Sequence, residues 1–321
     1  MRRLTRRELA LMLGAGALAG TTRSVESTPV VLPGVVGVAE GSARHGRPLS
    51  REQAARAVAG ALAAAVGAES GMKAAASLFA PSDTVGIKVN CLAGKALSPR
   101  VELVDALVDL LAGAGVDRRK IIVFERSSRE LEKAGFTIHR RGPPYRCIGT
   151  DNDYERLPST SGAIGSCFAR IVSTECTALV SFGVVKDHDL AGVSAGMKNW
   201  YGVIHNPNKY HQNGCDPYIA DVARHPFIRD KLRLTVLDGV IAQYHGGPAY
   251  RPGATFELGL VAASTDPVAA DLWAWQMIEA ERKRRGMPTL EEAGRPVRFL
   301  ATAAEEGLGV DDPDRLKVVS V

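Results

Sequence analysis

Apolar residues along this chain switch repeatedly between helical spacing and short continuous runs. Ser50, with Gln53 three positions later, forms a capping box that opens an Ala-rich helix reaching to about Val66. Pro81-Ser82-Asp83 then turns the chain into a β-rich run over 84–90. Ser98-Pro99 starts a second helix, in which Val101, Leu103, Val104, Leu107, Val108, Leu110 and Leu111 make a broad buried face ending at Gly113 or Gly115. A strand over 121–124, a helix over 128–134, a Gly/Pro-rich excursion around Gly142-Pro143-Pro144 and a buried-type strand over 178–185 continue the series.

The second half is patterned in the same way. It reads as a helix over 193–201, a polar loop over 204–216, a short helix over 218–223 and strands over 232–241 and 256–263. Asp266-Pro267 caps a long helix to about Arg285, a further helix covers 297–306, and 316–321 is a closing strand. Strands alternating with helices predict an α/β fold: a mostly parallel sheet flanked by helices in three layers. No internal repeat and no composition break follow Ser50, so 49–321 is expected to be a single domain, with 135–165 and 200–230 as a candidate small inserted lobe.

Composition narrows the class. A hydrophobic content of 45% over 321 residues fills a sizeable core and excludes disorder. The 33 glycines follow no G-X-Y period, and no apolar run approaches the roughly 20 residues that cross a bilayer. Collagen and polytopic membrane proteins are excluded, and no transmembrane segment is expected in the mature chain. The net charge is +5, of which the first 19 residues carry +3 through Arg2, Arg3, Arg6 and Arg7 against Glu8. Beyond them the basic run Arg282-Lys283-Arg284-Arg285 sits at the end of a helix, so no nucleic-acid partner is expected.

Thr5-Arg6-Arg7-Glu8-Leu9 precedes an apolar stretch over 9–19 that closes on Ala17-Leu18-Ala19, the small-x-small form of a signal-peptidase site. This predicts a twin-arginine signal over 1–19, the twin-arginine translocase as partner and an extracytoplasmic or periplasmic location. The bland alternative is an N-terminal helix or short anchor. Residues 20–48, rich in Thr, Ser, Gly and Pro, are expected to be a flexible tether. Gly14-Ala15-Gly16-Ala17-Leu18-Ala19 matches the dinucleotide fingerprint only formally, because no strand precedes it. Cys91, Cys147, Cys167, Cys176 and Cys215 form no C-x-x-C pair, so zinc ribbons and iron-sulfur clusters lack their ligand spacing.

The polar signal concentrates between Lys186 and His245. Lys186-Asp187-His188-Asp189 directly follows an apolar strand and so projects from the carboxyl edge of the sheet, where open α/β folds place ligands. Lys198-Asn199 comes next, followed by His205, His211 and Cys215 in a polar loop. Three chemistries compete. A transition metal could be held by His188, His205, His211 and Cys215, with His245 a further donor, since imidazole and thiolate suit Zn, Cu, Ni or Fe; the bland reading is solvated loop histidines. An anion pocket would use Lys186 and Lys198 as point charges for a carboxylate or phosphate. Gly192-Val193-Ser194-Ala195-Gly196 matches the nucleophile elbow of a serine hydrolase, with Asp238 and His245 downstream, although Lys186 to Ala191 separate it from its strand. Lys95 after Gly94 fails as a P-loop, because Val89 and Ala96 stand where Gly and Ser/Thr are needed.

From Lys186 to Gly202 the sequence resembles the K-x-H-x-x-x-G-v-t…K-N-x-x-G core of the prokaryotic family called domain of unknown function 362. Val85-Gly86-Ile87-Lys88-Val89-Asn90, Thr235-Val236-Leu237-Asp238-Gly239 and the S-x-D-P-V-A-x-D segment from Ser264 to Asp271 resemble three more of its stretches. The resemblance implies an α/β fold, and the iron-sulfur modules fused to some relatives hint at redox or cofactor chemistry, though this chain lacks cluster-binding cysteines. It implies no particular reaction. Its matching polar positions are Lys88, Asn90, Lys186, His188, Lys198, Asn199, Asp238, Asp266 and Asp271. The expectation is therefore an exported enzyme, dependent on a metal or redox cofactor, acting on a small anionic substrate. His188, Lys186, Lys198 and Asp238 are its candidate catalytic groups, and Lys88, Asn90 and Asn199 are candidate substrate contacts. The alternative is a periplasmic anion-binding protein without turnover.

Overall fold

The run that reads as a buried strand is longer than its apolar part. In this computed structural model, which describes residues 31–41, 49–141 and 144–321, β7 spans Ala178–His188 and is buried at every one of its 11 positions. A strand covered on both faces needs no polar alternation, and β7 accordingly sits mid-sheet between β2 (Val85–Val89) and β9 (Leu232–Gln243), parallel to both. Its polar tail, Lys186 to His188, is carried into the interior by the same strand.

The sheet has nine strands. Beyond β2 lie β3 (Ile121–Glu125) and β4 (Arg146–Gly149), both parallel. Beyond β9 lie β10 (Thr255–Ser264), antiparallel to β9, then β1 (Val35–Glu40) and β11 (Lys317–Ser320). The ninth strand, β8 (Gly192–Ser194), folds back against the end of β7, while β5 (Ser159–Ser161) and β6 (Ile164–Ser166) form a separate hairpin. The mostly parallel, helix-flanked architecture is as the sequence pattern requires.

Two apolar cores lie on the two faces of this sheet. On one, α1 (Arg51–Val66), α2 (Gly71–Leu78), α3 (Val101–Gly113) and α4 (Ser128–Ala134) cover the strands; on the other lie α5 (Tyr218–Ala223), α6 (Pro226–Arg229), α7 (Pro267–Arg284) and α8 (Phe299–Glu305). The Ser50–Gln53 capping box is present, with both reciprocal bonds. The Ala face of α1 lets it approach β1 so closely that a Cβ on Gly37 would stand 2.2 Å from the Ala61 carbonyl oxygen. The segments expected to form a lobe do meet: Tyr210 Oη donates to the Gly165 carbonyl (2.7 Å), and the Ala163 amide donates to Asp221 (2.8 Å).

Three expectations are corrected. Residues 35–40, assigned to the tether, form β1, paired with β10 on one side and β11 on the other. Residues 193–201 are not one helix; β8 turns into a 3-10 turn at Lys198–Val203. Ser194 lies on strand β8 in register with Lys186, not on a strand-to-helix elbow. The twin-arginine segment, the tether residues 20–30 and 42–48, and Gly142-Pro143 of the excursion lie outside the described residues. Among the described residues no helix is long and apolar enough to cross a membrane.

Candidate functional site

The carboxyl ends of β2, β3 and β7 open onto a cavity of about 280 Å³, roofed by the 198–211 segment. Lys88, Asn90, His188, Lys198 and Asn199 line it, together with Glu125, Arg126, Glu130, Ser194 and His211. Most of the expected contacts are therefore in one place.

Lys88 is saturated. Its Nζ donates to Glu125 Oε1 (2.7 Å), the Val89 carbonyl (2.7 Å) and Asn199 Oδ1 (2.9 Å). Three acceptors take all three ammonium protons, and the second Glu125 oxygen accepts from the Cys91 amide at 2.8 Å. Asn199 in turn donates to the Lys88 carbonyl and to Ser181 Oγ, which fastens the 3-10 turn to β2 and β7. Gly202, at the end of the same turn, leaves the room: a Cβ there would lie 2.7 Å from Lys88 Nζ. The K-N-x-x-G spacing is thus a device for seating that turn over a buried ion pair.

One residue earlier, Lys198 is also buried, but its surroundings differ. Its Nζ lies 3.1 Å from His211 Nε2 and 3.8 Å from the centre of the Tyr201 ring, and the Cys215 thiol is a further electrostatic neighbour. No carboxylate stands within ion-pair distance among the described residues; Asp189 is largely exposed and acts on it from farther off. Burial pushes the Lys198 pKa down to about 8, against a smaller upward pull from Cys215. The thiol is delivered by a left-handed turn in which Asn213, Gly214 and Cys215 have φ of 51°, 66° and 64°. That conformation is uncommon for residues other than glycine, so tertiary contacts hold Cys215 there.

The two histidines are fixed as tautomers by their partners. His188 Nδ1 accepts from the Leu190 amide (3.1 Å) and the Ala191 amide (3.2 Å), so its proton sits on Nε2. Nδ1 is also 3.0 Å from Asp189 Oδ1. That contact is not an ion pair, because burial first, and then Lys198, His211, Lys186 and Arg295, push the His188 pKa down to about 2. His211 lies 3.0 Å through Nδ1 from the Pro207 carbonyl, which can only accept, and so turns the Nε2 lone pair toward Lys198. The rings stack with centroids 5.9 Å apart.

The remaining expected residues stand elsewhere. Lys186 is fully buried behind the wall, its Nζ donating to Asn90 Oδ1 at 3.1 Å, and burial lowers its pKa to about 8. Lys186 and Lys198 therefore do not face one another across the cavity. Asp238 is bound by Arg100, whose guanidinium reaches both carboxylate oxygens (2.6 and 2.8 Å) and whose amide donates at 2.9 Å. It fixes the start of α3 and lines no part of the cavity. His205 is exposed and packs edge-on against Tyr154, while His245 is exposed beside Arg295. Ser194 is thus without the Asp238–His245 relay that a hydrolase would need.

Of the expected metal donors, His205 stands apart from the rest. No group of three or more His, Cys, Asp or Glu side chains among the described residues is arranged to hold a metal ion. His188, His211 and Cys215 do gather, without His205, but what they gather around is the Lys198 ammonium, and a cation in the middle of a donor set repels a second one.

The sequence reading missed Glu125 by one residue. It ends a strand beside β2, so the edge argument that singled out Lys186 and His188 applies to it equally. Asp271 was matched without a role: buried at the start of α7, it accepts from the Gly196 amide (2.7 Å) and the Met197 amide (3.1 Å), holding the chain that enters Lys198. Asp266 caps α7 and also receives the amides of Gly34 and Val310 (2.9 and 3.0 Å).

No curated protein matches the chain. A crystal structure of a Thermotoga maritima protein aligns with a TM-score of 0.41 at 11% identity, covering 74% of this chain, which spans 60% of that one. The family model described as "Domain of unknown function (DUF362)" matches residues 85–276, from β2 into α7, and thus includes every strand that builds the cavity. With that match over more than half of its length, the chain belongs to the DUF362 family.

Proposed function

We propose that the protein is an enzyme acting on a small anionic substrate held in the cavity at the ends of β2, β3 and β7. The observation that carries this reading is the buried Lys198 ammonium, which lines the cavity without a carboxylate partner. An unpaired buried charge is costly, and a bound carboxylate or phosphate relieves that cost at the point of binding. Arg126, exposed on the same wall, adds a second positive group. His188 offers a fixed Nε2–H donor, and the His211 Nε2 lone pair offers a base beside the amine, which are the parts that acid–base chemistry needs. Lys88 and Asn199 build the wall, and Lys186 holds Asn90 from behind.

The test is thermal stabilisation by inorganic phosphate and by acetate. Both should raise the melting temperature of the wild-type protein, and Lys198→Met should abolish the rise while keeping a native circular-dichroism spectrum. A wild-type protein indifferent to both anions contradicts the reading. The binding-protein alternative differs in turnover: saturable stabilisation by carboxylates, none of which is converted, is its signature.

We also read Arg6-Arg7 as an export signal for the twin-arginine translocase. Replacing both with Lys should retain the protein in the cytoplasm, and unchanged export would overturn the assignment.

A further inference from the structure

We infer that Lys198 is a covalent catalyst whose amine forms an imine with the carbonyl carbon of a small 2-oxo acid. This rests on the reading of the cavity as an anion site and names the substrate class. The first support is what surrounds the amine: His211 Nε2 at 3.1 Å and the face of the Tyr201 ring at 3.8 Å, with no carboxylate within ion-pair distance among the described residues. A lysine paired to a carboxylate resists losing its proton, whereas this one leaves no anion stranded when it does. The second is the base. Because His211 Nδ1 is turned to the Pro207 carbonyl, the lone pair on Nε2 faces the nitrogen that must shed protons. The third is size: about 280 Å³ lies just below the roughly 300–1,000 Å³ usual for small-molecule pockets, so the site suits an acid of few carbons. A pKa near 8 leaves part of the amine neutral at physiological pH.

The step balances without a redox partner. The Lys198 lone pair forms the N–C bond as the carbonyl π pair moves to oxygen. His211 Nε2 takes a proton from the nitrogen and returns it to that oxygen. One further proton from solvent lets the hydroxyl leave as water while the nitrogen lone pair closes the C=N bond. Amine, carbonyl and one proton give iminium and water. The iminium keeps a positive charge where the ammonium stood, and neither Glu125 nor Glu130 of the same wall is ion-paired with it. The substrate must bring that carboxylate itself, which favours a 2-oxo acid over a simple ketone or aldehyde.

The experiment is reductive trapping of the full chain with pyruvate and sodium cyanoborohydride, followed by proteolysis and mass spectrometry. The expected result is a reduced pyruvyl adduct on the peptide carrying Lys198. It should form faster as pH rises through about 8, be suppressed by inorganic phosphate and be lost in Lys198→Arg, which keeps the charge. Acetone should label the same residue more slowly. Adducts spread over exposed lysines such as Lys73 and Lys133, or equal labelling by acetone, would overturn the inference. If phosphate stabilises the protein through Lys198 yet no adduct forms there, the lysine is a clamp alone, and the inference fails while the anion site stands. If phosphate also fails to bind, both fall together.

Discussion

Three lysines are buried at one edge of this sheet, and their partners separate their roles. Lys88 spends its three protons on Glu125, Val89 and Asn199, and Lys186 is walled off behind Asn90. Lys198 alone of the three combines cavity exposure with the lack of a nearby carboxylate. Removing only the cation of the Lys88–Glu125 pair, as in Lys88→Met, should destabilise the fold by about 3–5 kcal/mol, because it strands a buried carboxylate. Adding Glu125→Gln should recover part of that loss in a urea-unfolding cycle; a double variant no more stable than the single one would contradict the pairing. His188 makes a pH-dependent prediction. Its folded pKa is depressed from 6.5 to about 2, chiefly by burial, so the unfolded chain takes up a proton below 6.5 that the folded chain refuses. Its contribution to stability is therefore lost as pH falls below 6.5, by at most about 1.4 kcal/mol per pH unit. His188→Gln should flatten that limb between pH 7 and 5 in denaturant titrations, and parallel curves for both proteins would contradict it. His188 was legible in the sequence from its type and edge position, Lys198 from its charge beside that edge, and Lys88 and Asn199 from the family resemblance. The partnering of Asp238 with Arg100 was not, because a helix cap and a strand residue 138 positions apart meet only in the folded chain.

At the scale of elements, local signals were reliable where a single segment decides its own structure. The capping box of α1, the Pro-initiated α7 and the apolar β7 are present as the pattern requires. They failed where the deciding partner is distant. β1 contains Gly37 and follows Pro33-Gly34, a loop-like composition, yet it is a strand because β10 and β11 offer ladders on both sides and α1 demands a residue without a side chain. Residues 193–201 have helical spacing, but β8 is captured by the end of β7 and the next turn is held by Asp271. Asp271→Ala leaves the Gly196 and Met197 amides buried without an acceptor, at about 1–3 kcal/mol each. It should both lower stability in urea and weaken phosphate binding, since that turn leads into Lys198; a variant with full phosphate affinity would show that Asp271 does not position the lysine.

For the whole molecule, the DUF362 match from 85 to 276 covers the strands that carry the cavity, while β1 and β11 complete the opposite edge from the two ends of the chain. Ser264 Oγ donates to the Val35 carbonyl and Asp266 binds the Gly34 and Val310 amides, so the S-x-D-P-V-A-x-D segment ties those ends to α7. Deleting residues 1–41 takes away β1 and should abolish the cooperative thermal transition; an unchanged melting temperature would show that edge to be dispensable. The central claim is that Lys198 is a cation awaiting an anion, and a titration of its side-chain resonance tests it most directly. With lysine labelled at Cε, the Lys198 signal, assigned through Lys198→Arg, should titrate near pH 8 in the free protein. Saturating phosphate should move that midpoint up toward the ordinary lysine value of about 10.4, because a bound anion favours the charged form. A midpoint that phosphate leaves in place would contradict the account.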